Sequence, residues 1–269
     1  MEKAALSSSL FMIPRELPSY LSVAYSLRFK DSDKQENFFK RIFEVVSQFF
    51  QLVKELITYR PNWYSFDHNI KKLDSDFDGI NKRLNESDKP ICAYFVSSND
   101  RNGAIIGDPL YYYHHYKIQK FQKHFDVAAK VVRSTKEMFD QLGQLKTKYP
   151  NREIKVVDIV SHGGPSMIDI NVGEQFNSTY RNENVKENEF ESCAQDAVII
   201  LDACSTAVGN NSIAENIAKK NRGKTVMAPG TPLFFSKPVF VKKENEVTVK
   251  NVVHGFAVVN AYTSKKFKT

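Results

Sequence analysis

Cysteine is scarce in this chain, and its scarcity removes several function classes at once. Only Cys92, Cys193 and Cys204 are present among 269 residues, too few and too unevenly spaced for a disulfide framework or a four-ligand zinc site. A reducing compartment, and so a cytoplasmic location, is expected. Long apolar runs are lacking as well. The richest segment, Phe38 to Ile57, is interrupted by Lys40, Arg41, Glu44, Lys54 and Glu55, so it cannot span a bilayer and no membrane partner is expected. The short patch Leu10-Phe11-Met12-Ile13 stops at Pro14, unlike the core of a secretory signal. No internal repeat or low-complexity tract stands out.

Clustered charge is equally rare. The formal net charge is +7 and the pI about 9.1, but the lysines are scattered among acids and only Lys265-Lys266-Phe267-Lys268 forms a run. That pattern is a solvated surface, and no nucleic-acid partner is expected. Metal-ligand sets are missing too. His114, His115 and His124 lie in an aromatic-rich helical stretch without cysteine or acid at ligand spacing, and are read as structural. Asp74-Ser75-Asp76-Phe77-Asp78-Gly79 starts like a calcium loop, but Asn81 and Asn85 occupy its eighth and twelfth positions. A solvated loop or helix start fits better, and no metal or cofactor is expected.

What is present is a series of short apolar runs that alternate with capped helical patterns. Ile91 to Val96, Asp126 to Val132, Ile154 to Val160, Val198 to Leu201 and Lys224 to Ala228 read as strands, with one or two more between Val247 and Val259. Ser134 with Glu137, and Ser212 with Glu215, have capping-box spacing ahead of apolar residues at helical period. The order predicts an α/β fold: a doubly wound, mostly parallel sheet flanked by helices, joined by right-handed crossovers. This domain is placed at residues 89–269. Residues 1–88 are expected to form a helical N-terminal extension with a regulatory role, built on an amphipathic helix from Asp33 to Thr58 and followed by a polar, acid-rich connector. A partner protein on that helix is one reading of its apolar stripe; packing within the chain is the plainer one.

Two strand ends carry chemistry. Ala197-Val198-Ile199-Ile200-Leu201 runs into Asp202-Ala203-Cys204, and Ile154 to Val160 runs into Ser161-His162-Gly163-Gly164-Pro165. In open α/β sheets ligands bind beyond the carboxyl ends of the strands, so parallel neighbours would bring His162 and Cys204 out side by side. An unperturbed cysteine titrates at roughly 8.5 and needs a base nearby to act as a nucleophile. His162 can accept the thiol proton or protonate a leaving amine, and the backbone N–H groups of Gly163 and Cys204 sit on tight turns where they could hold an oxyanion. Asp202 lies two residues before Cys204, on the same side of an extended chain. A carboxylate there would oppose thiolate formation unless a substrate cation sat beside it, which predicts a pocket for Arg or Lys before the cleaved bond.

These residues resemble the caspase-like fold of clan CD cysteine peptidases: caspases, metacaspases, clostripain, gingipains, separases and the CHAT family. The shared pattern is an apolar strand ending in His-Gly, here Val156 to Gly163, followed by one ending in a small residue and Cys, here Val198 to Cys204. Ala203-Cys204-Ser205-Thr206-Ala207-Val208-Gly209 is similar to the CHAT pattern Ala-Cys-x-Thr-x-x-Gly. Asp202-Ala203-Cys204 looks closer to metacaspases and clostripain, where an acid two before the nucleophile binds a basic side chain. The resemblance covers about Lys89 to the C-terminus. It implies a thiol protease with a Cys204/His162 dyad, hydrolysing protein or peptide substrates through a thioester acyl-enzyme without metal. It also implies dimerisation through a sheet edge and activation by cleavage, for which Lys219-Lys220, Arg222 and Lys242-Lys243 are basic candidates. The alternative is a non-catalytic caspase-like protein-interaction module.

Overall fold

The computed structural model describes residues 66–85, 87–100, 103–107, 110–170, 179–230, 236–243, 246–254 and 259–263. The chain divides into two units, Met1–Arg60 and Pro61–Thr269. All the described residues belong to the second; the helix expected from Asp33 to Thr58 lies outside them. In chain order the elements are α1 (Phe66–Asn81), β1 (Ile91–Ser97), α2 (Leu110–Gln122), β2 (Asp126–Val132), α3 (Thr135–Lys148) and β3 (Ile154–Val160). Next come β4 (His162–Gly164), β5 (Met167–Asp169), β6 (Tyr180–Arg181), β7 (Val198–Asp202), α4 (Ile213–Lys220) and β8 (Thr225–Pro229). The C-terminal strands are β9 (Ser236–Lys243), β10 (Glu246–His254) and β11 (Val259–Thr263).

The main sheet has six strands in the order β11-β8-β7-β3-β1-β2. β2, β1, β3, β7 and β8 run parallel, and β11 pairs antiparallel with β8. Every residue of β1 and β7 is buried, as a parallel strand covered on both faces requires. Successive side chains go to opposite faces. Ile91, Ala93, Phe95, Val157, Ile159, Ile199 and Leu201 share one core with Met138, Leu142 and Leu145 of α3 and Ile213 and Ile217 of α4. Cys92, Tyr94, Val96, Val156 and Ile200 share the other with Leu73 and Phe77 of α1 and Ile118 and Phe121 of α2. The α/β, doubly wound, mostly parallel architecture expected from the sequence is the one observed.

Both predicted caps form. Ser134 Oγ accepts from the Glu137 N–H at 3.1 Å, and Ser212 Oγ accepts from the Glu215 N–H at 3.3 Å. Each glutamate reaches back one residue beyond the cap, Glu137 to the Arg133 N–H and Glu215 to the Asn211 N–H, both at 2.8 Å. Orphan donors at each helix start are thereby satisfied.

Three segments differ from their sequence reading. Residues 66–81, read as part of a polar connector, form α1. Leu73 and Phe77 are buried one turn apart, and Asn81 bonds the backbone of Ala129 in edge strand β2 through both its amide groups, at 2.8 and 2.9 Å. The acids Asp74, Asp76 and Asp78 are therefore on a helix, where backbone geometry does not wrap a cation. The polar excursion after His162 holds a small antiparallel sheet, β4-β5-β6. β9, which carries Pro238, pairs with β10 in a separate two-stranded hairpin.

Candidate active site at the carboxyl edge

The strand order sets the place. Along the parallel strands the chain runs second, first, third, fourth, fifth, so the winding reverses between β1 and β3, and the carboxyl edge at such a reversal is where ligands bind in open sheets of this class. β1 delivers Asp100 to this edge, β3 delivers His162, and β7, the neighbour of β3, delivers Cys204.

The His162 and Cys204 turns are bound to each other. The Ser161 N–H donates to the Asp202 carbonyl at 3.1 Å. One residue on, the Gly163 backbone lies so close to the Cys204 turn that a Cβ there would sit 2.7 Å from Ala203 Cβ, 3.0 Å from Thr206 Cγ2 and 3.3 Å from the Cys204 carbonyl oxygen. Only glycine permits that approach. Immediately after Cys204, Ser205 has φ of 59°, a left-handed conformation that costs a non-glycine residue free energy and is retained where its surroundings hold it. Thr206 Oγ donates to the Ala203 carbonyl at 2.9 Å, and the Ala207 N–H donates to the Pro229 carbonyl at 2.9 Å. The turn is thus held from inside and from β8.

Cys204 is half-buried, whereas Cys92 and Cys193 are buried in the core. Burial pushes the Cys193 thiol up to about 12 and the Cys92 thiol well above its ordinary value, so neither is a nucleophile at neutral pH.

Asp100 is a site residue that the sequence reading did not single out. Its Oδ1 lies 3.0 Å from His162 Nε2, and its Oδ2 accepts from the Ile105 N–H at 2.9 Å and the Ile106 N–H at 2.6 Å. Burial alone would raise its carboxyl; the bonds from His162, Ile106 and Ile105 outweigh that and hold it below the usual carboxylate value. The signal was an acid in the polar turn Ser97-Ser98-Asn99-Asp100 after the first buried strand.

Asp202 is placed differently from its expectation. It is 2% exposed, and its carboxylate is paired with Lys117 of α2 and accepts from Ser236 Oγ. Lys117 Nζ is also 2.5 Å from Asp158 Oδ2 of β3. Asp158 and Asp202 both point to the α2 face of the sheet, so one buried ammonium serves both carboxylates. Among the described residues, the cation beside Asp202 is the chain's own Lys117 rather than a substrate Arg or Lys. The missed signal was Asp158 itself, a charge inside an apolar strand that must find a partner.

His114 also takes a structural role. Its Nδ1 accepts from the Tyr94 hydroxyl and its Nε2–H donates to the Ile105 carbonyl, both at 2.8 Å, and burial lowers its titration to about 4. His115 bonds Asp76 at 3.1 Å. Among the described residues no group of three or more His, Cys, Asp or Glu side chains is arranged to hold a metal ion.

Residues 130–248 match a family described as a domain of unknown function, DUF8616. This span includes His162 and Cys204, and leaves out Asp100 and Lys117. No curated protein matches the chain. Among solved structures the chain is similar to the one titled structure of pro-sf-caspase-1, at 12% identity and a TM-score of 0.34, covering 60% of this chain and 67% of that chain. At that level of similarity any functional reading stands on this chain's own geometry.

Proposed function

We propose that this chain is a cysteine peptidase of caspase-like architecture, with Cys204 as nucleophile and His162 as general acid and base. The observation that carries the reading is the junction of their two turns, where the Ser161–Asp202 hydrogen bond and the Gly163–Ala203 contact fasten the end of β3 to the turn after β7. The site lies beside the switch point of the sheet, where ligands enter this class of fold.

The reaction follows from the groups present. His162 takes the thiol proton as Cys204 Sγ attacks the carbonyl carbon of a peptide bond. The oxyanion that forms accepts hydrogen bonds from the Gly163 and Cys204 backbone N–H groups. The C–N bond then breaks, the amine leaves with the proton held by His162, and a thioester remains. Water, deprotonated by His162, attacks the thioester, which releases the acid and restores the thiol.

A preference for Arg or Lys before the scissile bond is not part of this proposal, because Lys117 and Ser236 already occupy Asp202. Hydrolysis of a peptide library containing all residue types at that position tests the reading. Turnover is expected, with Cys204→Ala abolishing it and His162→Ala lowering it by roughly 10²–10⁴-fold. Unchanged turnover in Cys204→Ala would overturn the assignment, and so would the absence of any hydrolysis by a correctly folded protein.

A further inference from the structure

We infer that Asp100 is the positioning residue of the site: it fixes His162 as the Nε2–H tautomer, so that Nδ1 is the atom that exchanges protons. The catalytic consequence rests on the Cys204–His162 reading above, whereas the tautomer itself does not.

The inference follows from how the Asp100 carboxylate is used. Its side chain is fully buried, while that of His162 is 28% exposed. Oδ2 is committed to two backbone donors, the N–H groups of Ile105 and Ile106. These orient the carboxyl plane and leave Oδ1 to face His162 Nε2 at 3.0 Å. An ionised carboxylate has no hydrogen to give, so a hydrogen bond at that distance requires the proton on Nε2. The neutral ring then carries its lone pair on Nδ1. The depressed titration of Asp100 agrees with an ionised group at neutral pH.

A second set of contacts keeps the two partners in register. Ser97 Oγ donates to the Asp169 carbonyl at 3.0 Å, and Asn99 Nδ2 donates to Asp169 Oδ1 at 2.8 Å. Asp169 of β5 is directly opposite His162 of β4 in the small antiparallel sheet. The turn that carries Asp100 is therefore tied to the strand that pairs with His162, and the carboxylate and the imidazole are positioned as one unit. Nothing in the sequence joins these residues. Asp100 and His162 are 62 positions apart and meet because β1 and β3 are neighbours.

The test is nitrogen-15 NMR of the full chain as the Cys204→Ala variant, with labelled histidine and His162 assigned by its loss in His162→Gln. The expected result is a His162 ring with its proton on Nε2 at a pH where it is neutral. In Asp100→Asn the carboxamide oxygen stays on the Ile105 and Ile106 donors and its NH₂ faces the ring, so the proton is expected to move to Nδ1. In the Cys204 background the same change is expected to lower kcat by about 10²–10⁴-fold with little change in KM. A proton on Nδ1 before any change at Asp100, or a tautomer unmoved in Asp100→Asn, would overturn the inference. Failure of the peptidase reading looks different: the tautomer behaves as expected but no peptide is cut.

Discussion

Asp158 and Asp100 are both buried carboxylates near the same sheet edge, yet they respond to pH with opposite sign. Burial pushes Asp158 up to about 7, Lys117 working against that rise and Asp202 adding to it, whereas an unfolded Asp titrates at about 3.9. Between those values the native state holds more protons than the unfolded one, so this group makes stability fall as pH rises from about 4 through 7. Asp158→Asn is expected to flatten that slope in urea titrations run across the interval; an unchanged slope would contradict the assignment. Asp100 is held below its unfolded value, so its contribution is complete above about 4 and is lost as pH falls further. Lys117 tests the cluster from the other side. Its ammonium is disfavoured by burial but raised by Asp158 and Asp202 together. Lys117→Met leaves the Asp202 carboxylate buried without its cation while Asp158, no longer held down by the ammonium, takes up a proton, and a loss of about 3–5 kcal/mol at neutral pH is expected in denaturant unfolding. The sequence made Cys204 and His162 legible because each ends a buried strand. It did not reveal that Lys117, 85 residues before Asp202, would be the cation there, since that contact depends on which helix covers which strand.

At the scale of elements, Gly163 and Gly164 are adjacent in sequence but differ in what surrounds them. A Cβ at Gly163 would lie 2.7 Å from Ala203 Cβ, whereas at Gly164 the nearest neighbour is Met167 Cγ at 3.8 Å. Gly163→Ala is therefore expected to destabilise the protein by about 1–3 kcal/mol and to suppress turnover by parting the two turns. Gly164→Ala is expected to alter either property little, and equal effects in unfolding and activity measurements would refute this account of the junction. Ser212→Ala should remove about 1 kcal/mol by uncapping α4. The five parallel strands and both capped helices were legible because their apolar runs and capping pairs are local signals. The small sheet β4-β5-β6 was not, because its two longer strands have three residues each and no period can register. β9 was hidden by Pro238, which demotes a run to an edge position. In a two-stranded hairpin every position is an edge.

Across the whole described unit, winding places the chemistry. Helices α3 and α4 cover one face of the sheet, and α1, α2 and the β9–β10 hairpin cover the other. The carboxyl edge is where Asp100, His162 and Cys204 arrive from β1, β3 and β7. The class of fold could be read from alternating runs, but the spatial order could not. Pairing of parallel strands is non-local, and the reversal between β1 and β3 that draws in Asp100 has no sequence signature. Among the described residues no helix is long and apolar enough to cross a membrane.

The central claim, that Cys204 is a nucleophile served by His162, is tested most directly by mass-spectrometric mapping after incubation with acyloxymethyl ketones bearing Arg, Lys, Asp or Leu. A covalent adduct is expected on Cys204, absent from Cys92 and Cys193, much slower to form in His162→Ala and not restricted to the basic probes. Adduct confined to the Arg and Lys probes would keep the nucleophile and reinstate a basic pocket that the Lys117–Asp202 pair speaks against. A folded protein with no adduct on Cys204 by any probe, or one whose labelling is indifferent to His162→Ala, would contradict the account.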